Sequence, residues 1–148
     1  MARALGLDVG DKRIGIALAD PLGLTAQGLP TLERRNMQSD LEAVSELCRE
    51  HEVGTIVVGL PLNMDGSEGP RAAISRRFGE KLGERTGLPV EMWDERLTTV
   101  EAERVLLSAN VSRGKRRKVI DKLAAQVILQ SWLDAHSSRC PDPPEEDM

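Results

Sequence analysis

The sequence has no tyrosine, one phenylalanine, two tryptophans and two histidines. These absences exclude chemistry. No tyrosine nucleophile is available, and two histidines, His51 and His136, cannot build a three-histidine zinc site. Cys48 and Cys140 lie far apart with no CxxC spacing, so a cysteine-based metal site is also excluded. Phe78, Trp93 and Trp132 are too few for a base-stacking platform. No run approaches the roughly 18 apolar residues of a membrane span. No charged leader with a cleavage site precedes the first apolar run. With two lone cysteines, the expectation is a cytoplasmic protein with no membrane partner. What is abundant is carboxylate: 24 Asp and Glu in 148 residues. If the chain is an enzyme, oxygen ligands and a hard metal ion are the first chemistry to consider.

The net charge is −4. The end of the chain, Pro141–Met148, carries Asp142, Glu145, Glu146 and Asp147 and no base, so the body is neutral. Within that body Arg113, Lys115, Arg116, Arg117 and Lys118 cluster, followed by Lys122. Such a cluster is either a solvated helix face or a phosphate-contacting patch. The length fits one domain over residues 1–136, with 137–148 an acidic, disordered tail.

Hydrophobic alternation predicts strands over Ala4–Gly10 and Arg13–Asp20, joined by a tight Gly10-Asp11-Lys12 turn. The hairpin has one greasy face (Leu5, Leu7, Val9, Ile14, Ile16, Leu18) and one face of small residues. A third strand is expected over Leu24–Leu32. Asn36 is placed to cap a helix to about His51, with Cys48 in its core stripe. Thr55–Leu60 reads as a buried parallel strand. Pro61–Arg71 reads as a long loop, and a helix follows with Ile74, Phe78 and Leu82 on one stripe. Pro89–Asp94 reads as a strand. Thr98–Glu101 has capping-box spacing, predicting a helix to about Leu107. Val111–Arg117 reads as a basic connection and Lys118–Ala135 as the last helix. The order β-β-β-α-β-α-β-α-α predicts an α/β fold, a mixed sheet with helices on both faces.

Three places put acid against apolar surroundings. Asp8 interrupts the first strand, on the face of Ala4 and Gly6. Asp94 and Glu95 close the last strand, and alternation alone does not say which points into a site. Asp121 lies on the core-facing stripe of the last helix with Ala124, Ala125, Ile128 and Trp132. Each acid alone is explained by a cap or a salt bridge. Together, at the edges of one sheet, they suit a divalent cation, Mg²⁺ or Mn²⁺, and phosphoryl-transfer chemistry.

These residues carry a resemblance. Leu5-Gly6-Leu7-Asp8-Val9-Gly10 with Lys12-Arg13-Ile14-Gly15 resembles the opening of the YqgF (RuvX) family of the RNase H-like superfamily. Residues 59–67, 94–99 and 121–125 resemble its later motifs, in order, and the likeness spans about residues 4–134. The resemblance implies an RNase H-like sheet in the order 3-2-1-4-5. It implies a metal-dependent nuclease with Asp8, Glu95 and Asp121 as catalytic metal ligands, Asp94 being the alternative to Glu95. It further implies processing of the 5′ end of pre-16S ribosomal RNA, with a four-way DNA junction as the alternative substrate. Either a monomer or a homodimer is compatible. Lys12, Arg13, Asn63, Ser67, Arg71, Arg96, Arg113, Lys115, Arg116, Arg117 and Lys118 become candidate nucleic-acid contacts. Turn chemistry, a hairpin tip and an ion pair of Arg96 are the plain alternatives. Rival readings are an ATP-binding module, for the Asp8-Val9-Gly10 hairpin, and a non-catalytic ribosome or transcription factor.

Overall fold

A computed structural model describes residues 3–97 and 113–137, with side chains of the last helix described over 124–136. Five strands form one sheet: β1 (Arg3–Val9), β2 (Arg13–Ala19), β3 (Ala26–Glu33), β4 (Val53–Leu60) and β5 (Val90–Asp94). Their order across the sheet is β3-β2-β1-β4-β5. β1 and β3 run antiparallel to β2, whereas β4 is parallel to β1 and β5 parallel to β4. The expected mixed sheet is therefore present. Pro30 sits in the edge strand β3, where a missing backbone N–H is tolerated.

The two faces of β1 decide the layers. Leu5, Leu7 and Val9 enter a core with Ile14, Ile16, Val58 and the helices α1 (Met37–Glu50) and α2 (Pro70–Thr86). Asn36 caps α1 by accepting from the Ser39 N–H at 2.9 Å, and Cys48 is core as expected. Ala4, Ala17, Ala19 and Val57 pack on the opposite face, against Ala125, Ile128, Leu129 and Leu133 of the last helix, α3 (Arg113–Ser137). Gly6 lies on this face too. A Cβ there would come within 2.7 Å of Leu129 Cβ and 3.2 Å of the Ala125 carbonyl oxygen. Small residues thus bring α3 almost onto the sheet.

Two expectations need correction, on α3 and on α2, while the last strand ends where it was expected to. α3 begins at Arg113, so the basic run is helical rather than a connection. Arg and Lys are good helix formers and nothing before Lys118 except Gly114 opposes them. Ile74 is 39% exposed; the buried stripe of α2 is Ala72, Ser75, Phe78, Gly79 and Leu82. The last strand stops at Asp94, and the chain turns into a single 3₁₀ turn, Glu95–Leu97. The capping-box helix expected over 98–107 and the tail from 138 lie outside the described residues. Among the described residues no helix is long and apolar enough to cross a membrane.

Candidate metal and nucleic-acid site

Asp8 lies near the end of β1, on the α3 face, with Gly15 as its partner across the hairpin. It is half-buried and opens onto a cleft of about 170 Å³ lined also by Gly10, Asp11, Lys12, Arg13, Gly15 and Arg71. Glycine at 15 puts no side chain opposite the carboxylate. Arg34 supports the hairpin from behind. It donates to the Gly10 carbonyl at 3.1 Å, its own N–H reaches the Lys12 carbonyl at 2.9 Å, and Asp40, 2% exposed, holds its guanidinium at 3.1 Å. Lys12 and Arg13 are therefore presented on a braced turn.

Glu95 and Asp94 part company where the strand ends. Asp94 is gripped by Arg96, with Nη2 to Oδ2 at 2.8 Å and Nε to Oδ1 at 3.1 Å. That guanidinium holds its carboxyl below the usual carboxylate range. Glu95 turns the other way, toward α3. A Cβ at Gly59 would meet Glu95 Oε2 at 2.9 Å and Ile128 Cδ1 at 2.4 Å, so glycine makes the space both occupy. Burial is the main cause that pushes the Glu95 carboxyl up to about 7, and the nearby charge of Asp8 adds to it. Arg71 opposes the shift, and Asp94 contributes weakly in the same sense as Asp8. Asp8, Glu95 and Arg71 thus share one electrostatic neighbourhood.

This has a stability consequence. Folded Glu95 binds its proton more tightly than the unfolded chain does, so the metal-free protein loses stability as pH rises from about 4.5 through about 7. Glu95→Gln removes that titration. The expected result is a melting temperature about 2–4 °C above wild type at pH 8, with the difference vanishing near pH 4. Equal melting curves at both pH values would contradict the burial of this carboxyl beside Asp8.

The loop after β4 is built from its own polar groups. Leu62 pairs with Glu68, and the Asn63 N–H donates to the Ser67 carbonyl at 2.9 Å. The Asn63 amide donates to Ser67 Oγ at 2.9 Å, and the Asp65 carboxylate accepts from Ser67 Oγ at 2.6 Å and Ser67 N at 2.9 Å. Asn63 and Ser67 therefore hold the turn. Gly66 takes φ 89°, the left-handed region that favours glycine. Arg96 reaches the Met64 carbonyl at 3.5 Å, tying this loop to the Glu95 turn. Sequence reasoning missed Asp11 in the cleft and the spacing roles of Gly6 and Gly59. The signal for the two glycines was their place inside a strand pattern.

Asp121 stands on α3, but its side chain, like those of Arg113, Lys115, Arg116, Arg117 and Lys118, lies outside the described residues. Among the described residues, no group of three or more His, Cys, Asp or Glu gathers as a metal site.

A mixed sheet in the order 3-2-1-4-5, antiparallel on one side of β1 and parallel on the other, with helices on both faces, is an RNase H-like fold. Asp8 in its central strand opens onto a basic cleft at one end of that sheet. A profile of the RuvX family, described as Holliday junction resolvase, matches residues 2–135, and the chain belongs to that family. A protein of Myxococcus xanthus (strain DK1622) named "Putative pre-16S rRNA nuclease" is 59% identical over 140 residues, covering 95% of this chain and 91% of its own. A relative of the same name from Symbiobacterium thermophilum is 58% identical, covering 93% and 95%. Among solved structures, T. thermophilus RuvC in complex with Holliday junction substrate superposes with a TM-score of 0.66 at 12% identity, over 93% of this chain and 97% of that one. The fowlpox virus Holliday junction resolvase gives 0.53 at 11% identity, over 90% and 99%. At these identities the two structures speak for the fold.

Proposed function

We propose that this chain is a cytoplasmic, divalent-metal-dependent nuclease that hydrolyses phosphodiester bonds in the 5′ maturation of pre-16S ribosomal RNA. The observation that carries the chemistry is Glu95, buried in the electrostatic field of Asp8 beside a cleft lined by Lys12, Arg13 and Arg71. The RNA substrate rests on the names of the relatives that share more than half its residues.

The donors fit Mg²⁺ or Mn²⁺. They are hard carboxylate oxygens, and their mutual repulsion is what a divalent cation relieves. Asp8, Glu95 and Asp121 are the proposed ligands. Position 121 is supported by the packing of α3. Leu133 lines a pocket with Ala4, and Leu129 with Ala125 crowds Gly6. Each step of two strand residues, roughly 6.6 Å, meets a step of about four helix residues, roughly 6 Å. The next step brings Asp8 level with the turn of α3 around Ala125, one helical turn from position 121. When bound, the ion supplies Lewis acidity and activation of a water nucleophile. The chain's own groups do the rest. Lys12, Arg13 and Arg71 bind and orient the phosphates, and Asp94 is spent on fixing Arg96. The 113–118 basic run forms the start of the helix that bears Asp121, as a further phosphate contact.

The test is to incubate the purified protein with Mg²⁺ or Mn²⁺ and either precursor 16S RNA or a four-way DNA junction. Metal-dependent cleavage of the RNA at its 5′ flank is expected, and the fragments report whether the cut is internal or terminal. Preferential cutting of the junction by a two-fold dimer would favour the resolvase reading. Binding of RNA without cleavage under any metal would favour a non-catalytic factor. Arg71→Ala is expected to flatten the salt dependence of RNA binding, reducing the slope of log K against log salt by about 0.7–0.9. Anisotropy titrations at several salt concentrations read that slope. An unchanged slope would remove Arg71 from the phosphate contacts.

A further inference from the structure

Met64 is 97% exposed, whereas Leu22, Leu24 and Ile74, the other exposed large apolar residues described, range from 39% to 77%. Its side chain contributes almost nothing to the packing of the protein. Its backbone, in contrast, lies within a hydrogen-bonded turn. The 63–67 turn is closed by five hydrogen bonds between Asn63, Asp65, Gly66 and Ser67. Behind the turn, Glu68 is ion-paired with Arg76 of α2. Arg96, clamped on Asp94 next to Glu95, donates to the Met64 carbonyl. A fixed turn thus presents one apolar side chain to solvent, tied through Arg96 to the turn that carries Glu95. Leu22 and Leu24 lie in the β2–β3 turn, at the other end of β2 from Arg13 and the cleft.

Resting on the nuclease reading above, we propose that Met64 is a wedge that packs on the face of a nucleobase beside the cleaved phosphodiester and holds it out of its stack. A nucleic acid offers charged phosphates and apolar base faces. Lys12, Arg13 and Arg71 serve the phosphates, and none of them offers a base an apolar surface. The usual partner would be an aromatic ring. Here Phe78 is fully buried, Trp93 and Trp132 are partly buried against the α3 core, and no aromatic residue lines the Asp8 cleft. A thioether side chain is flexible and polarizable, and methionine is among the residues that wedge between bases. Because it makes no hydrogen bond to a base edge, Met64 reads no sequence. It selects for a base that is unpaired or easily unstacked, as in a single strand or a fraying end, over continuous duplex.

The probe is a short RNA spanning the cleaved bond, with 2-aminopurine at the flanking nucleotide. Wild-type protein is expected to raise its fluorescence on binding in EDTA and to cleave it with Mg²⁺. Met64→Ala is expected to lose the fluorescence rise and about tenfold in kcat/KM with an unchanged melting temperature, and Met64→Leu to recover both. Met64→Ala that unstacks and cleaves like wild type overturns the wedge and leaves the nuclease reading standing. A wild-type protein that cleaves no nucleic acid overturns both.

Discussion

Asp8→Asn is expected to reduce cleavage by about 10³-fold or more while the protein folds normally. Asparagine keeps the shape of the side chain and removes its charge. A metal ion then loses an anionic ligand, and Glu95 loses the neighbour that helps raise its pKa. The Glu95 carboxyl should therefore titrate below about 7 in the variant, which carboxyl NMR reads without substrate. Folding should be preserved because Asp8 is half-buried in an open cleft and its removal relieves repulsion. Glu95→Gln and Asp121→Asn are expected to fall as far. Asp94→Asn is the control, because Asp94 is committed to Arg96; it should keep cleavage within about tenfold. Wild-type cleavage by Asp8→Asn would sink the three-acid reading. Loss of cleavage at Asp94 with retention at Glu95 would exchange the two.

Gly6→Ala is expected to cost about 1–3 kcal/mol of stability and about 100-fold in rate. The added methyl group would lie 2.7 Å from Leu129 Cβ and 3.2 Å from the Ala125 carbonyl oxygen. Neither is the free end of a flexible side chain, so the helix itself must lift. α3 carries Asp121, and lifting it moves that residue away from β1. Activity should fall further than stability explains. Gly59→Ala makes the informative comparison. Its methyl group meets Ile128 Cδ1 and Glu95 Oε2, both ends of side chains that can swing. That variant should fold nearly as well as wild type while displacing Glu95. Thermal melts and single-turnover cleavage separate the two effects, and a Gly6→Ala protein with wild-type melting and rate would contradict the close approach of α3.

Much of this was readable from local pattern. Alternation in β1 and β2 put Leu5, Leu7 and Val9 on one face and Ala4, Gly6 and Asp8 on the other, and the structure keeps that division. Period-two patterning belongs to the strand itself, so no partner has to be known. The same holds for the Asn36 cap and for Cys48 in the core. The start of α3 was misread because basic residues look like a linker by composition, although they are good helix formers. Ile74 was misread because a helical stripe of 3.6-residue period admits two neighbouring phases, and only contact with the sheet selects one.

The sequence by itself narrowed the available chemistry: abundant carboxylate, no tyrosine, no histidine cluster and no paired cysteines. It also determined the strand faces and brought Asp8 to the small-residue side. Only the tertiary structure separates the surroundings of Asp94 from those of Glu95. Alternation stops carrying information where β5 gives way to a 3₁₀ turn. From there, the direction of each side chain depends on the turn itself and on the neighbours the fold brings to it. Arg96 fixes Asp94 only after the turn has formed, and Glu95 enters the α3 side because Gly59, on the neighbouring strand, leaves room for it. Met64 is a further case: its place beside the Glu95 turn follows from a hydrogen bond spanning 32 residues.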